Sequence, residues 1–284
     1  MKLSKVATEK EKGRRLDRVL KSLFMLSARR MTLLKKSDSI FVNDIPTHAD
    51  YRVQTDDLIE CVFPDDLPLC EDASSKLDIA YEDDALLIVN KPSPMPTMSS
   101  PYQDQISLEK LVTDYLGTFR PVNRLDKGTS GLMVIAKTAY VQSCLQTMLH
   151  SDDFIREYVC VADGIFVDDE GVIDRPISEP PEGSVKRTVS DDGRPSVTEY
   201  RVLRRGDDKT LIRLRLKTGR THQIRVHLSS IGHPVTGDYL YGAARDDMPD
   251  KFVLHSTYIR LIHPLTKEII EIDTGCPEAF IALL

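Results

Sequence analysis

Cysteine is scarce in this chain and has no pattern. Cys61, Cys70, Cys144, Cys160 and Cys276 are an odd number with no C-x-x-C pair. That argues against a disulfide framework or a zinc-finger site and fits a reducing compartment. No apolar run approaches the ~20 residues needed to span a bilayer. The N-terminal segment is charged and polar, without an apolar signal core. There is no internal repeat and no low-complexity tract. The expectation is a soluble, cytoplasmic protein with no membrane association. Its 284 residues suffice for one large domain, or a medium domain plus a small one. A chain of this size buries roughly 75% of its unfolded surface, so a sizeable core is available.

The formal net charge of -6 is unevenly spread. Residues 1–48 carry 12 Lys+Arg against 5 Asp+Glu, a net of +7, and the remainder carries 26 against 39, a net of -13. Such asymmetry suggests a basic binding module attached to a larger body. The basic residues are interleaved with apolar ones at helical spacing: Leu16, Val19, Leu20, Leu23 and Phe24. Ser27 can cap a second helix containing Met31, Leu33 and Leu34. Ile40, Phe41 and Val42, the Asn43-Asp44 turn and Ile45 read as a strand entering a hairpin, and residues 58–63 as a further strand. Residues 1–63 are therefore expected to form a small α+β unit. Its expected RNA contacts are Arg14, Arg15, Arg18, Arg29, Arg30, Lys35 and Lys36. Residues 64–76 are acidic and contain proline, which reads as a linker.

The body, residues 77–284, begins with a buried strand at 86–89. A helix is expected from Ser107 through Leu116, a strand at 132–136, a helix at 139–149, and then mostly short strands. The fold class expected is α+β with a mixed, largely antiparallel sheet.

Four constellations could carry chemistry. The first is Asn123-Arg124-Leu125-Asp126-Lys127-Gly128-Thr129-Ser130-Gly131, a carboxylate in a Gly- and Ser-rich turn just before a buried strand. Such an Asp is either a solvated turn residue or a nucleophile or base. No further ligands at a convincing spacing suggest a metal there. The second runs from Lys217 to His227. Thr221 could cap a helix whose core face is Ile224, Leu228 and Ile231. Arg220, at the turn, could pair with a carboxylate or clamp a phosphate. His222 and His227 are five apart and do not share a helix face, so they read as buried or phosphate-contacting. The third is a strand whose Arg213, Arg215 and Lys217 point away from Ile212, Leu214 and Leu216. Its charged face is either a guarded edge or a surface that follows RNA. The fourth is Arg156-Glu157-Tyr158, whose tyrosine is either core or a stacking platform for a base.

Together these residues resemble the RluA/RluD family of RNA pseudouridine synthases. The central stretch fits the family form [HN]-R-L-D-x-x-T-S-G. Around it, Leu87-Ile88-Val89-Asn90-Lys91-Pro92 looks like the family's opening strand and loop, and Arg156-Glu157-Tyr158 like its K-x-Y segment. Residues 218–227 are similar to its arginine motif. Ile231-Gly232-His233-Pro234, Gly237-Asp238-x-Leu240-Tyr241-Gly242 and Leu254-His255 follow as in the family. Residues 1–63 resemble the small RNA-binding domain first described in ribosomal protein S-four.

The resemblance implies isomerisation of uridine to pseudouridine within RNA, without cofactor or metal. Asp126 would be the catalytic carboxylate, kept ionised by Arg220, with Tyr158 stacking on the uracil. Asn123, Arg124, His222, Arg225 and Leu254 would contact the substrate, Arg124 supporting the extruded nucleotide and Leu254 closing the apolar wall. Many members have His where this chain has Asn123, which bears on RNA contacts rather than on catalysis. Large-subunit rRNA is the expected substrate, with tRNA or a catalytically inactive rRNA-binding assembly factor as the other readings. A monomer is expected.

Overall fold

The computed structural model describes residues 2–24, 34, 39–62, 77–99, 106–149, 151–245, 247–248 and 250–284. Most of the second N-terminal helix expected after Ser27, the four cations Arg29, Arg30, Lys35 and Lys36, and the linker 64–76 lie outside these residues.

The N-terminal unit contains β1 (Lys2–Val6), α1 (Leu16–Leu23), β2 (Ile40–Val42), β3 (Ile45–Pro46) and β4 (Leu58–Val62). The strands form one antiparallel sheet in the order β1-β4-β2-β3. Asn43 and Asp44 have φ of 53° and 64°, the positive values a two-residue hairpin turn needs to match strand twist. Leu16, Val19 and Leu20 bury one face of α1, while Arg14 and Arg18 are exposed. Arg15 precedes the helix and donates to Asp17 at 3.0 Å.

The body contains β5 (Ile79–Glu82), β6 (Leu86–Lys91), α2 (Leu108–Leu116), β7 (Ser130–Ala136), α3 (Ala139–Met148), β8 (Phe154–Asp163), β9 (Glu170–Asp174), β10 (Val197–Arg205), β11 (Lys209–Leu216), α4 (Gln223–Ser230), β12 (Leu254–Ile262), β13 (Ile269–Asp273) and α5 (Glu278–Ile281). Ser107 caps α2 by accepting from Lys110 N, and Gly117 ends it in the left-handed region at φ 70°, as such caps require. Thr138 caps α3 in the same way. None of the described helices is long and apolar enough to cross a membrane.

One sheet organises the body, in the order β5-β6-β7-β12-β8-β11-β10-β9, with β13 also on β12. Every pairing is antiparallel except β7 with β12. The expected mixed, mainly antiparallel α+β architecture is the one observed. The β7–β12 junction joins chain segments 125 residues apart, with His255 opposite Ser130. It brings the turn before β7 beside the start of β12. Gly131 makes this approach possible. Its φ is +107°, and a Cβ there would run into the Ser256 backbone; only glycine meets both demands.

Apolar side chains cover both faces of the central strands. Leu87, Val89, Met133, Ile135, Tyr158, Ile212 and Leu214 pack with α2 and with Ile224 and Leu228 of α4. Leu86, Ile88, Leu132 and Val134 pack with Val141, Cys144 and Leu145 of α3. The charged side of β11 is neutralised by acids. Arg213 pairs with Glu157 at 2.5 Å and Asp273 at 3.2 Å, Arg215 with Asp152 at 2.9 Å, and Lys217 with Asp152 and Glu199 at 3.7 Å. A cavity of about 540 Å³ lies here, lined by Glu157, Glu199, Arg213 and Arg215. The matched charges make this a guarded sheet face and not a basic track.

Candidate active site

Asp126 lies in the turn between Asn123 and β7, and that turn is held from several sides. The segment after β6 straps it through its carbonyls. Thr97 Oγ1 donates to Leu125 O at 2.6 Å, Met95 N to Lys127 O at 3.0 Å, and Ser93 Oγ to Gly128 O at 2.8 Å. Asn123 Oδ1 accepts from Val134 N at 2.9 Å, tying the turn to β7. A Cβ at Gly128 would collide with the Phe252 ring, so the turn packs tightly against the segment before β12.

Lys91 is 1% exposed at the end of β6. Its ammonium donates to the carbonyls of Pro92 at 3.1 Å, Met95 at 2.7 Å and Lys127 at 3.4 Å. Burial pulls its pKa down to about 8, against the opposing pull of the Asp126 charge. It stays charged at neutral pH, and its hydrogen bonds help shape the turn that carries Asp126.

The cation that reaches Asp126 is Arg225, not Arg220. Arg225 Nη1 lies 3.0 Å from Asp126 Oδ2. The other two nitrogens form a fork onto Asp238, Nε to Oδ2 at 2.6 Å and Nη2 to Oδ1 at 2.8 Å. Asp238 is fully buried and also accepts from the backbone N–H groups of Leu240 at 3.0 Å and Tyr241 at 3.2 Å. The guanidinium carbon sits 4.3 Å from the Phe252 ring centre and 5.0 Å from that of Tyr241, so its planar faces are occupied as well. Burial opposes the charge on Arg225. The hydrogen bonds to Asp238 and the charges of Asp126 and Asp238 outweigh it, raising the pKa above the ordinary value. Arg225 and Lys91 together balance the two carboxylates.

Arg220 instead donates through Nε to Pro195 O at 3.3 Å, and its side chain sits at the rim. Thr221 does not cap α4. His222 occupies that position, in the left-handed region at φ 58° and without a side-chain cap. The turn is locked by Gln223, whose Oε1 accepts from Thr218 Oγ1 at 2.8 Å and Arg220 N at 3.0 Å.

His222 faces the same carboxylate oxygen, with Nε2 3.8 Å from Asp126 Oδ2. Its Nδ1 is 2.9 Å from Tyr241 Oη, which accepts from Arg187 N at 2.9 Å. Every group is satisfied when Tyr241 donates to Nδ1 and Nε2 carries the proton. Burial lowers the His222 pKa, partly offset by Asp126, and favours this neutral form. His227 is fully buried between Thr198 Oγ1 and Arg175 O, both at 2.9 Å. It is a structural histidine.

Oδ2 of Asp126 is thus engaged, while Oδ1 accepts no hydrogen bond among the described residues. Asp126 lines a small cavity of about 60 Å³ together with Tyr158, Leu254, Ile224 and Arg225. A larger one of about 580 Å³ adjoins it and contains Asn123, Arg124, Arg156, Tyr158 and Arg220. The latter volume is in the range of ligand pockets. Tyr158 is 5% exposed, and burial pushes its phenol up, so it is protonated at neutral pH. Arg124 is exposed.

The residues 85–230 match the family described as RNA pseudouridylate synthase. The chain belongs to the RNA pseudouridylate synthase family. It is an isomerase that converts uridine to pseudouridine in RNA. The uncharacterized RNA pseudouridine synthase YjbO of Bacillus subtilis is 38% identical over 208 residues, 71% of this chain and 73% of that one. Ribosomal large subunit pseudouridine synthase D of Haemophilus influenzae is 34% identical over 306 residues, 99% of this chain and 94% of its own. Among solved structures, human RNA pseudouridylate synthase domain containing 1 superposes with a TM-score of 0.60 at 28% identity, covering 71% of this chain and 84% of that chain.

In this synthase the sequence-expected residues Asn123, Arg124, Asp126, Tyr158, Arg220 and His222 line one cavity, and Arg225 and Leu254 join Asp126 and Tyr158 around the smaller one. Sequence reasoning gave no role to Asp238, Tyr241 or Lys91. The signal available was their place in short motifs, Gly237-Asp238 and Asn90-Lys91-Pro92, where an acid or a lysine interrupts otherwise apolar surroundings.

Proposed function

We propose that this synthase modifies uridine in large-subunit ribosomal RNA and that Asp126 is its catalytic carboxylate. The observation that carries the site is the 3.0 Å contact between Arg225 Nη1 and Asp126 Oδ2, which fixes the carboxylate beside a buried cation and leaves Oδ1 free. Asp126 either attacks the ribose or takes a proton from it. The bond from N1 of uracil to the sugar breaks, the base turns, and carbon 5 bonds to the sugar as any bond or proton held by Asp126 is given back; the proton on carbon 5 is released and N1 takes one up, so the product is an isomer. Tyr158 stacks on the uracil as a neutral phenol. Leu254 closes the apolar wall, and Arg124 and Arg220 meet the RNA at the rim. Taking the nucleotide out of its stack costs a few kcal/mol, which these contacts must supply.

The name of the Haemophilus relative, ribosomal large subunit pseudouridine synthase D, with 34% identity over nearly the whole of both chains, supports large-subunit rRNA. We read residues 1–63 as an S-four-like RNA-binding domain, 64–76 as a linker and 77–284 as the catalytic domain, in a monomer that works in the cytoplasm. The exposed Arg14 and Arg18 on the α1 side support the N-terminal part of this reading. Removing residues 1–63 should weaken RNA binding and flatten its salt dependence.

The site is tested by tritium release from carbon 5 of labelled uridine in unmodified rRNA. Wild type should release it and Asp126→Asn should not; release by the variant overturns the assignment. The target is tested by mapping pseudouridine in total RNA with and without the gene. A change confined to tRNA would overturn the rRNA reading.

A further inference from the structure

Two residues that line the larger cavity, Arg156 and Asn123, each carry a buried donor with no partner. Arg156 is 4% exposed, and its Nε makes no hydrogen bond. Its Nη2 donates to Leu149 O at 3.2 Å, and the guanidinium sits 6.0 Å from the Phe154 ring centre. Among the described residues no carboxylate pairs with it; neighbouring Glu157 is engaged by Arg213. Asn123 is 5% exposed, and its Nδ2 is likewise unpaired while Oδ1 holds Val134 N. Both residues line the cavity of about 580 Å³ that contains Asp126.

A guanidinium buried without a counter-charge is costly, and so is an amide N–H with no acceptor. Such a pair is tolerated where a ligand completes it. The ligand must bring acceptor oxygens for the donors and a negative charge for the cation. Uracil has the oxygens but not the charge. A phosphodiester has both and suits the planar donors of arginine. We propose that Arg156 and Asn123 form a pocket for one backbone phosphate of the RNA, next to the nucleotide held at Asp126. This rests on the reading of Asp126 as the reaction site. The rim cations steer the strand, and this buried pocket fixes its register.

The test uses the full chain and an RNA transcript that wild type modifies. Binding is followed through a salt titration in the Asp126→Asn background, so that it is read apart from chemistry. Arg156→Met should reduce the slope of log affinity against log salt by about 0.7–0.9, the value of one phosphate contact, and Arg156→Lys should restore most of it. In the otherwise wild-type enzyme the loss should fall on KM more than on kcat. Asn123→Asp keeps an acceptor for Val134 N and places a carboxylate where the phosphate would sit. It should lower RNA affinity at least about tenfold, by repulsion, while the protein melts no lower than wild type. Three results would overturn the proposal: an unchanged salt slope in a folded Arg156→Met, a loss in kcat alone, or full RNA affinity in Asn123→Asp. Tritium release that persists in Asp126→Asn would instead defeat the Asp126 assignment, and the salt slopes would still judge the phosphate pocket.

Discussion

Arg225 bridges Asp126 to Asp238. One nitrogen reaches Asp126 at 3.0 Å while the other two grip the fully buried Asp238 at 2.6 and 2.8 Å. The cation beside the proposed catalytic carboxylate is therefore held by a second, fully buried acid, and its position does not depend on Asp126 alone. Preorganisation of this kind removes the need to order the site during the reaction.

The arginine assignment can be tested by unequal effects. Arg225→Lys loses the planar fork that grips Asp238 while a third nitrogen reaches Asp126, so turnover at saturating RNA should fall about 100-fold. Arg220→Lys keeps a charge at the rim and should act mainly on KM. Comparing kcat from tritium release in the two variants decides it. If Arg220→Lys is the more damaging in kcat, the role assigned to Arg225 is wrong.

Asp238→Asn leaves Arg225 buried with half its fork lost. Breaking one partner of a buried pair typically costs about 3–5 kcal/mol. Urea unfolding should show a loss of that order. Any protein that remains folded should turn over more slowly, because Arg225 is no longer fixed toward Asp126. Wild-type stability in this variant would show that the fork is not needed.

Gly131→Ala tests the crossing that builds the site. Its φ of +107° strains any side chain, and the Ser256 backbone fills the space. Destabilisation beyond about 4 kcal/mol is expected, measured as a loss of soluble folded protein or a large drop in Tm. A folded, active variant would mean that β7 and β12 can separate without cost.

His255 supplies an acid-sensitive element at the same junction. It is 6% exposed and bonded to Ser130 Oγ at 2.9 Å and Thr274 Oγ1 at 3.0 Å. Burial lowers its pKa from 6.5 to about 4. The unfolded chain takes up a proton below pH 6.5, and the folded one does so only near 4. The contribution is therefore intact above 6.5 and is lost as pH falls through that window, on the order of 3 kcal/mol in all. Denaturant unfolding of wild type across the window should show the decline, and His255→Gln should flatten it. An identical pH dependence in both proteins would rule His255 out as the cause.

Much of this molecule can be read locally. Ser107 announces its helix because an N-cap needs only a hydroxyl and the next turn. Asn43-Asp44 announces a hairpin because those residues tolerate positive φ. The buried stretches 86–89 and 132–136 are legible as apolar runs, within strands that extend to 86–91 and 130–136. β1 was not legible. Its sequence Lys-Leu-Ser-Lys-Val has no strong strand bias, and it is a strand because β4 lies alongside it in register. β9 is the same case, an acidic edge segment ordered by pairing with β10.

By itself the sequence determined which carboxylate stands at the entrance to a buried strand, and it pointed to Arg220 as the cation beside it. Only the tertiary structure decided which arginine. Arg220 and Arg225 have the same chemistry, but Arg220 sits in the turn before α4 while Arg225 is carried on the helix itself. Every residue of α4 from Gln223 to Leu228 is buried, so no polar stripe in the sequence marks the face that matters. The choice is made at long range, where Asp238 and the rings of Phe252 and Tyr241 enclose one guanidinium and point it at Asp126.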